Sequence, residues 1–397
     1  MKKIATTLAL SGVIAFSALA QVGDVAPTTI NGKYYLNFAD ISLEVDPAVG
    51  GRITSFKLGT AETQKKKLNG NDNDFGSSLQ PAPQSLWNWP PPPNIDNQPY
   101  TASIDSNKIM LVGKEETSLK LSVMKKISVS SSDTSIIIEY IIKNTDSKPK
   151  SISGWEVTKI NSGGLIFYPL GTGSATDLAK WTTSKNGIVW YDHDSAKVTT
   201  NKGGSFRSDG AEGWYANVQN SGVVFIKKFK DTPADKQAPG ENEIKMFIRD
   251  DNSYLSYELQ GPYTSIPANS TANWKVKWYL RKLPSTVKAT AQNDALVGFV
   301  KSVVNRSITA VENQESAVVT AIIVPQPILN EFSLKLDHSK YTIVDVLLFD
   351  TNGKNVRKYS NINSNDVLQK GELQKGIYTY SILSNGVMVG KGKISIE

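Results

Sequence analysis

The chain has 397 residues, of which 39% are hydrophobic and 20% are charged, so it can bury a core and is not intrinsically disordered. It contains no cysteine, which excludes disulfides, thiolate metal sites and cysteine nucleophiles. The formal net charge of +7 is modest for this length, and the lysine-rich runs 65–67 and 227–230 are better explained as solvated loops than as a nucleic-acid-binding face, so we predict no nucleic-acid partner.

The first twenty residues have the three parts of a secretory signal peptide. Lys2 and Lys3 are followed by an apolar stretch, and Ala18-Leu19-Ala20 is a small-residue cleavage site. The apolar stretch is too short for a membrane anchor. We therefore predict no stable membrane span and a mature chain that begins at Gln21.

Apolar and polar residues then alternate in short runs over most of the chain up to residue 282, with Gly, Asn, Asp and Ser between the runs. A period of two is typical of strands, and such separators are typical of turns. The sequence predicts an all-β, mostly antiparallel domain. The clearest runs are 41–45, 118–123, 135–142, 223–226, 244–248 and 274–279.

Residues 84–93 read QSLWNWPPPP, a run that cannot be the middle of a helix or of a central strand, because proline lacks the backbone donor. In an extended chain Trp87 and Trp89 point the same way and Asn88 points the other way. Two interpretations stay open. The indoles cover the core at the end of the domain, or they form a ligand-binding surface with Gln84 and Asn88 as hydrogen-bond partners.

One segment after Pro284 has helical periodicity, and it would close a main domain of residues 21–305. Residues 306–324 are rich in polar residues with little patterning, which predicts a linker. The apolar positions that define the helix are Val287, Ala291, Leu296, Phe299, Val300 and Val303.

Residues 325–397 are predicted to form a separate, small immunoglobulin-like β-sandwich. Strands are expected at 345–349, 376–382 and 387–396, and the Asn-Gly pairs at 352–353 and 385–386 supply the positive φ angles of hairpin turns.

The same stretch carries Pro325-Gln326-Pro327, then LLFDTNGKNV, LQKGIYTYSI and a terminal hairpin. This order of motifs resembles the type A C-terminal sorting domain of the type IX secretion system of Bacteroidetes, with Gln326 where that family usually has asparagine. The resemblance implies export across the outer membrane, contact of residues 325–397 with the secretion machinery, removal of this domain during sorting, and a secreted or cell-surface protein. His338 lies inside this domain, so we discount it for chemistry.

The segment LEVDPAVGGRITSF, with its Gly50-Gly51 step, resembles the first hairpin of galactose-mutarotase-like proteins. Together with FGSSLQPAPQSLWNWPPPP and YELQGPYTSIPANSTANWKVKWYLRKLP it resembles domain of unknown function family 4380, over residues 30–305. The resemblance implies a galactose-mutarotase-like β-supersandwich and a general link with carbohydrate.

Mutarotases use a glutamate general base and a histidine general acid, both within hydrogen-bond reach of the sugar. Glu258 resembles the position of that base, and the alternative is a strand-face glutamate in solvent or paired with lysine. His193, the only histidine of the main domain, is the candidate acid or a sugar partner, and the alternative is an exposed loop residue. The usual arrangement has two histidines, and this chain cannot supply the second.

The eight tryptophans all lie in the main domain, and sugar C–H faces stack on indole rings. Trp181 and Trp190 lie among loop-like residues and are ligand candidates, whereas Trp274 and Trp278 share a strand face and are predicted core residues. Arg52 and Arg207 become candidate carboxylate partners if the sugar is a uronate. The remaining substrate-binding candidates are Gln84, Trp87, Asn88 and Trp89.

Asp72-Asn73-Asp74 and Asp192-His193-Asp194 offer oxygen ligands for calcium, but turn chemistry explains them more simply. We predict no metal and no cofactor. We expect a secreted carbohydrate-binding or accessory protein of a bacterial glycan-utilisation system, with acidic polysaccharide as one candidate ligand. The alternative is a sugar epimerase-like or polysaccharide lyase-like enzyme with Glu258 as general base.

Overall fold

The structure is a computed structural model that describes residues 25–68, 72–305, 322–335, 343–350, 355–363, 366–384 and 387–397. These residues form two compact units, one within residues 1–306 and the other within 307–397. The predicted signal peptide, most of the predicted linker, His338 and both Asn-Gly turns lie outside the described residues.

Strands dominate the first unit, as the alternation predicted. Three short 3-10 helices interrupt the loops at Pro47–Val49, Gln84–Leu86 and Ala234–Lys236. In chain order the other elements are β1 (Thr28–Ile30), β2 (Lys33–Phe38), β3 (Ile41–Asp46), β4 (Arg52–Leu58), β5 (Ala61–Glu62), β6 (Ser77–Ala82), α1 (Pro93–Asp96), β7 (Thr101–Asp105), β8 (Lys108–Val112), β9 (Leu121–Ser130), β10 (Ser135–Asn144), β11 (Lys150–Asn161), β12 (Leu165–Thr176), α2 (Leu178–Trp181), β13 (Thr183–Lys185), β14 (Ile188–Asp192), α3 (Ser195–Asn201), β15 (Gly204–Gly210), β16 (Trp214–Val218), β17 (Val223–Phe229), β18 (Ile244–Ile248), β19 (Tyr254–Gln260), β20 (Thr264–Ile266), β21 (Thr271–Lys282) and α4 (Asp294–Val304).

The strands form two large antiparallel sheets. Sheet I runs β1-β2-β3-β4-β6-β11-β19-β18-β15, with β5 on β4 and β20 on β11. Sheet II runs β7-β8-β9-β10-β21-β17-β16-β12-β14-β13. Strand β12 joins the two sheets, because its first half pairs with β14 and β16 and its last residues pair with β15.

A common apolar core fills the space between the sheets. Leu259 and Met246 of sheet I belong to the same cluster as Ile127 and Ile136 of sheet II, and all four side chains are fully buried. Trp278 also lies in this core, and Trp274 is 8% exposed, so the core assignment of both residues is confirmed. Sheet I therefore has an inner face toward sheet II and an outer face away from it.

An ion pair crosses this apolar core. Glu156 of β11 and Lys227 of β17 are both fully buried, and their Oε1 and Nζ atoms are 2.8 Å apart. Lys227 also donates to the Thr158 hydroxyl and the Tyr257 carbonyl, both at 2.9 Å. Tyr140 donates to the other oxygen of Glu156 at 2.7 Å. Burial lowers the pKa of Lys227, and the carboxylate of Glu156 opposes that shift.

The predicted helix is present but shorter than its periodicity suggested. It is α4, which begins after Asn293, whose side chain accepts a hydrogen bond from the Ala295 N–H. Val287 and Ala291 precede the helix, yet they pack against the same apolar cluster as its buried residues. The apolar spacing thus continued into a segment that is packed but not helical.

The second unit holds seven strands within its described residues, divided between a three-stranded sheet and a four-stranded one. That division and the shared core of fourteen buried residues fit the predicted immunoglobulin-like sandwich. The sheets have the orders β22-β23-β26 and β25-β24-β27-β28, where the strands are β22 (Ile322–Val324), β23 (Glu331–Lys335), β24 (Val344–Phe349), β25 (Asn355–Ile362), β26 (Val367–Gln369), β27 (Gly376–Ser384) and β28 (Val387–Ile396).

We predict that Lys227→Met destabilises the first unit by about 3–5 kcal/mol, because it leaves the Glu156 carboxylate buried without its counter-charge. All eight tryptophans lie in the first unit, so urea denaturation of the full chain followed by tryptophan fluorescence measures this unit alone. Adding Glu156→Gln to Lys227→Met removes the orphaned charge and should recover part of the lost stability.

The matched control is Lys301→Met, because Lys301 pairs with Glu212 at 2.9 Å but both side chains are about two-fifths exposed. An exposed pair contributes about 0–1 kcal/mol. Equal losses for the two lysine variants would contradict a structural role for the buried pair.

Candidate functional site

The outer face of sheet I is polar across five neighbouring strands. Residues that pair across strands share a face, and so do residues two apart along a strand. By this register, one row of the outer face contains Ser78, Val157, Glu258, Lys245 and Arg207, from β6, β11, β19, β18 and β15. The adjacent row contains Gln80, Trp155 and Gln260.

Loops cover much of this polar face. Glu258 is 4% exposed and Gln260 is 2% exposed. Ala238 of the β17–β18 loop packs with Trp155 and Val157. Polar side chains buried under loops are typical of a site rather than of an ordinary solvated sheet face.

Three tryptophans lead from the surface to this floor. Trp89 is 66% exposed, and its ring centroid is 6.3 Å from that of Trp87. Trp87 is half-buried, donates its indole N–H to the Pro81 carbonyl at 2.9 Å, and lies 6.4 Å from the ring of Trp155. Trp155 is 3% exposed. We call Trp87, Trp89 and Trp155 the tryptophan series. Trp87 thus covers core, whereas Trp89 presents its ring to solvent.

Glu258 lies at the inner end of the tryptophan series. Its Oε2 accepts a hydrogen bond from the Trp155 indole at 3.0 Å and is 3.8 Å from Lys245 Nζ. The Lys245 ammonium also lies 4.1 Å from the centre of the Trp155 ring, a cation–π distance. These three side chains hold one another in place and combine an aromatic surface, an acceptor and a donor.

A second polar group borders the floor. Glu241 accepts hydrogen bonds from the Gln260 amide at 3.2 Å and the Gln84 backbone N–H at 3.1 Å, and its carboxylate is 4.0 Å from Arg207. The Gln260 Oε1 is buried and has no hydrogen-bond partner among the described atoms. Asn88, which lies in the same segment as Gln84, is exposed.

The structure therefore brings Glu258, Arg207 and the 84–89 segment into one region, but not Arg52. The Arg52 guanidinium is 1% exposed and donates to the carbonyls of Asn73 and Phe75 at 2.7 and 3.0 Å. It also pairs with Asp96 at 3.1 Å. Arg52 consequently pins two loops to the sheet, and its assignment as a carboxylate-binding residue is corrected.

His193 lies elsewhere. Its ring hydrogen-bonds Tyr191 at 3.0 Å and Ser195 at 3.2 Å, and burial lowers the pKa of His193. The Ser195 carbonyl accepts from Asn252, in the turn between β18 and β19. Glu258 is six residues farther along, roughly 20 Å at the rise of a strand. His193 and Glu258 are not assembled as an acid–base pair.

Trp181 and Trp190 also require correction. Trp181 is 3% exposed and packs its ring on Gly204, where a Cβ would lie 2.9 Å from the ring. Trp190 is 2% exposed and stacks on Phe167 at 4.7 Å. Both rings belong to the core, because Trp181 lies in α2 and Trp190 in β14, and these elements direct the two side chains into the protein rather than forming exposed loops.

The acidic triplets act as turns. Asp72 accepts from the backbone N–H groups of Leu68 and Asp74 at 2.9 Å and pairs with Lys65. Asp194 caps α3 by accepting from the first turn of that helix. Asp72 and Asp194 thus serve a turn and a helix cap, which is the simpler of the two interpretations.

Sequence reasoning missed Trp155 as a site residue, and also Lys245, Glu241 and Gln260. One signal was available, namely polar residues at positions i and i+2 in strands that are otherwise apolar, as in Glu258 and Gln260 of YLSYELQ. The register between strands places Lys245 beside Glu258, and this register cannot be predicted from either strand segment alone.

Comparison with solved structures gives three similar chains. The galactose mutarotase-like protein from Lactobacillus casei ATCC 334 has 10% identity and a TM-score of 0.46 over 63% of this chain and 100% of that one. The galactose mutarotase-like protein from Clostridium acetobutylicum has 12% identity and a TM-score of 0.43, over 65% and 98%. The galactose mutarotase related enzyme from Lactobacillus acidophilus has 8% identity and a TM-score of 0.44, over 66% and 99%.

No curated protein sequence matches the chain, and membership of family 4380 stays a prediction. Within the described residues, no helix is long and apolar enough to span a membrane. Residues 322–397 match the family described as the secretion system C-terminal sorting domain. The chain thus ends in a type IX secretion system sorting domain, and it is a protein that is exported to the cell surface or secreted.

Proposed function

We propose that the outer face of sheet I binds carbohydrate and that the chain is a secreted carbohydrate-binding or accessory protein of a bacterial glycan-utilisation system. The observation that carries this proposal is the exposed ring of Trp89, which continues through Trp87 to Trp155 and ends at the Glu258–Lys245 pair. An exposed tryptophan next to buried, convergent polar groups is the combination that marks a ligand site.

The residue chemistry suits a sugar. Sugar C–H faces stack on indoles, while hydroxyls both donate and accept hydrogen bonds. On this face Glu258 and Gln260 offer acceptors, and Lys245 and Arg207 offer donors. Each of these cations already faces an acid, at 3.8 and 4.0 Å, so a neutral sugar binds without displacing a charge partner. An acidic polysaccharide would compete with Glu258 or Glu241, and we expect weaker binding to it.

The alternative, an epimerase-like or lyase-like enzyme with Glu258 as general base, needs a second proton-transfer group near the sugar. His193 lies at the far end of the β18–β19 hairpin, and Arg52 is engaged inside the protein. These positions favour binding over catalysis.

We predict that Trp89→Ala weakens glycan binding at least tenfold while changing the free energy of unfolding by less than about 0.5 kcal/mol. One well-packed aromatic contact is commonly worth more than 1 kcal/mol in a complex, whereas an exposed side chain contributes little to folding. A glycan array with neutral and acidic members identifies the ligand, and calorimetric titration of wild type and variant gives the affinities.

The control for this prediction is Leu86→Ala, because Leu86 is an exposed apolar residue in the same segment, at 43% exposure. It should leave glycan affinity unchanged. Absence of any glycan hit with the wild-type chain, or equal affinity of wild type and Trp89→Ala, would remove the basis of the proposed function.

We predict that Glu258→Gln keeps the fold but weakens glycan binding by roughly tenfold, because the neutral amide no longer fixes Lys245 beside Trp155. Titration calorimetry measures the affinity, and NMR of each bound oligosaccharide during incubation detects conversion. The matched control is Glu139→Gln, since Glu139 is also a strand glutamate within 4 Å of a lysine, Lys275, at 3.6 Å. Turnover by wild type that Glu258→Gln abolishes would replace binding by the catalytic alternative.

A further inference from the structure

The loop between β17 and β18 forms one side of the site. We define it as the 231–242 loop. Its Ala238 packs on Trp155 and Val157, and its Glu241 accepts the Gln84 N–H at 3.1 Å. The loop therefore connects sheet I with the segment that carries the exposed tryptophan. A displacement of this loop would therefore change the contacts of Trp155 and of the 84–89 segment.

Glu243, directly after the loop, anchors it to the sheet. Its side chain is fully buried, and its Oε1 accepts the Thr232 backbone N–H at 2.6 Å. Its Oε2 is buried and has no hydrogen-bond partner among the described atoms. The carboxyl group is pressed against β15, because a Cβ on Gly210 would lie only 2.5 Å from Oε2. The carboxyl group is thus buried against the backbone of β15.

The charged groups that face Glu243 are acidic. Asp209 of β15 follows Ser208, the register partner of Ile244, so it lies opposite Glu243. Its carboxylate accepts from the Gly173 N–H at 2.8 Å and from the Gln237 side chain of the loop. Asp231 faces Glu243 from the start of the loop. The cations of the same face are engaged elsewhere, Arg207 with Glu241 and Lys245 with Glu258.

These surroundings favour the protonated acid. Burial raises the pKa of Glu243 to about 8, and the carboxylates of Asp231 and Asp209 act in the same direction. At neutral pH the Glu243 side chain is therefore uncharged, which is consistent with its fully buried position.

We propose that Glu243 is a positioning residue whose protonated side chain holds the 231–242 loop against sheet I, and that loss of this proton releases the loop. An ionised Glu243 would be buried beside two carboxylates, and opening the loop lets water solvate it. The consequence for ligand binding rests on the proposed function, because the loop forms a wall of that site. The release of the loop itself does not depend on any ligand.

The direction of the pH dependence follows from linkage. The closed loop holds the proton up to about pH 8, whereas in the open loop Glu243 loses it near its ordinary pKa of 4.5. The closed state is therefore favoured most at low pH and loses stability as pH rises between these values. Opening of the loop should increase about tenfold per pH unit from about pH 5 to 8 and level off above that range.

The experiment is hydrogen exchange of the full chain from pH 5 to 9, read by mass spectrometry on peptides that cover residues 231–242 and corrected for the intrinsic exchange rate. We expect loop protection in the wild type to fall about tenfold per pH unit up to pH 8. Glu243→Gln, which keeps the acceptor for Thr232 but cannot ionise, should give a flat profile. Glu212→Gln, at an exposed acid, should behave as wild type.

A wild-type profile that is flat, or a Glu243→Gln profile that keeps the wild-type slope, would overturn the proposal. Glycan affinity measured over the same pH range forms a second arm, in which the wild type should weaken toward pH 8 and Glu243→Gln should not. If the loop opens as expected but no glycan binds at any pH, the proposed function fails and the role of Glu243 stands.

Discussion

The buried ion pair between Glu156 and Lys227 fixes the arrangement on which the site depends. It joins the two sheets through β11 and β17 at a point where both charges are removed from water. Such a pair tolerates little displacement, since a shifted partner leaves a buried charge unsatisfied. Side chains alternate along β11, so Glu156 inside places Trp155 and Val157 outside. A shift of β11 by one residue would turn Glu156 outward and Trp155 inward. The buried Glu156–Lys227 pair thereby fixes the register of the site residues.

The outer face has a different energetic character from the core. On the inner face of sheet I, every charged atom of the Glu156–Lys227 pair has partners, and this face contributes to folding. Outside, polar atoms of Ser78, Gln260 and Glu243 are buried without partners among the described residues. An unpaired buried polar group costs free energy of folding. Under the proposed function, these are atoms whose hydrogen bonds a polar ligand would supply.

Much of the fold could be predicted from the sequence, because alternation and turn residues are local. Strands such as β18 and β21 and the core positions of Trp274 and Trp278 follow from a period of two. The candidate site was predicted only in part. Trp89 was named from its own segment, and Glu258 was named because it resembles the position of the mutarotase general base. Lys245 and Trp155 were not named, because their roles depend on which strands pair with each other. Trp155 and Glu258, for example, are more than a hundred residues apart in the chain.

The errors have physical reasons as well. Arg52 presents the same guanidinium to a uronate or to a backbone carbonyl, and the chain folds back 21 residues later to supply the carbonyl of Asn73. Trp181 was assigned to an exposed loop because glycine and polar residues surround it. Gly204 of β15 lacks the Cβ that would exclude the indole ring, and so it lets Trp181 enter the core. In both cases a residue suited to ligand binding was used for internal packing.

An exported chain without cysteine has no disulfide to hold its loops, so the loops over the outer face depend on apolar contacts, hydrogen bonds and ion pairs. Two buried polar anchors differ in kind, namely the Arg52–Asp96 pair, which lies apart from the site, and the Glu243–Thr232 bond beside it. The first joins a cation that is always charged to a carboxylate, and the second requires an acid to stay neutral. Of these two anchors, only the Glu243–Thr232 bond should therefore loosen as pH rises, so the 231–242 loop is the element that moves.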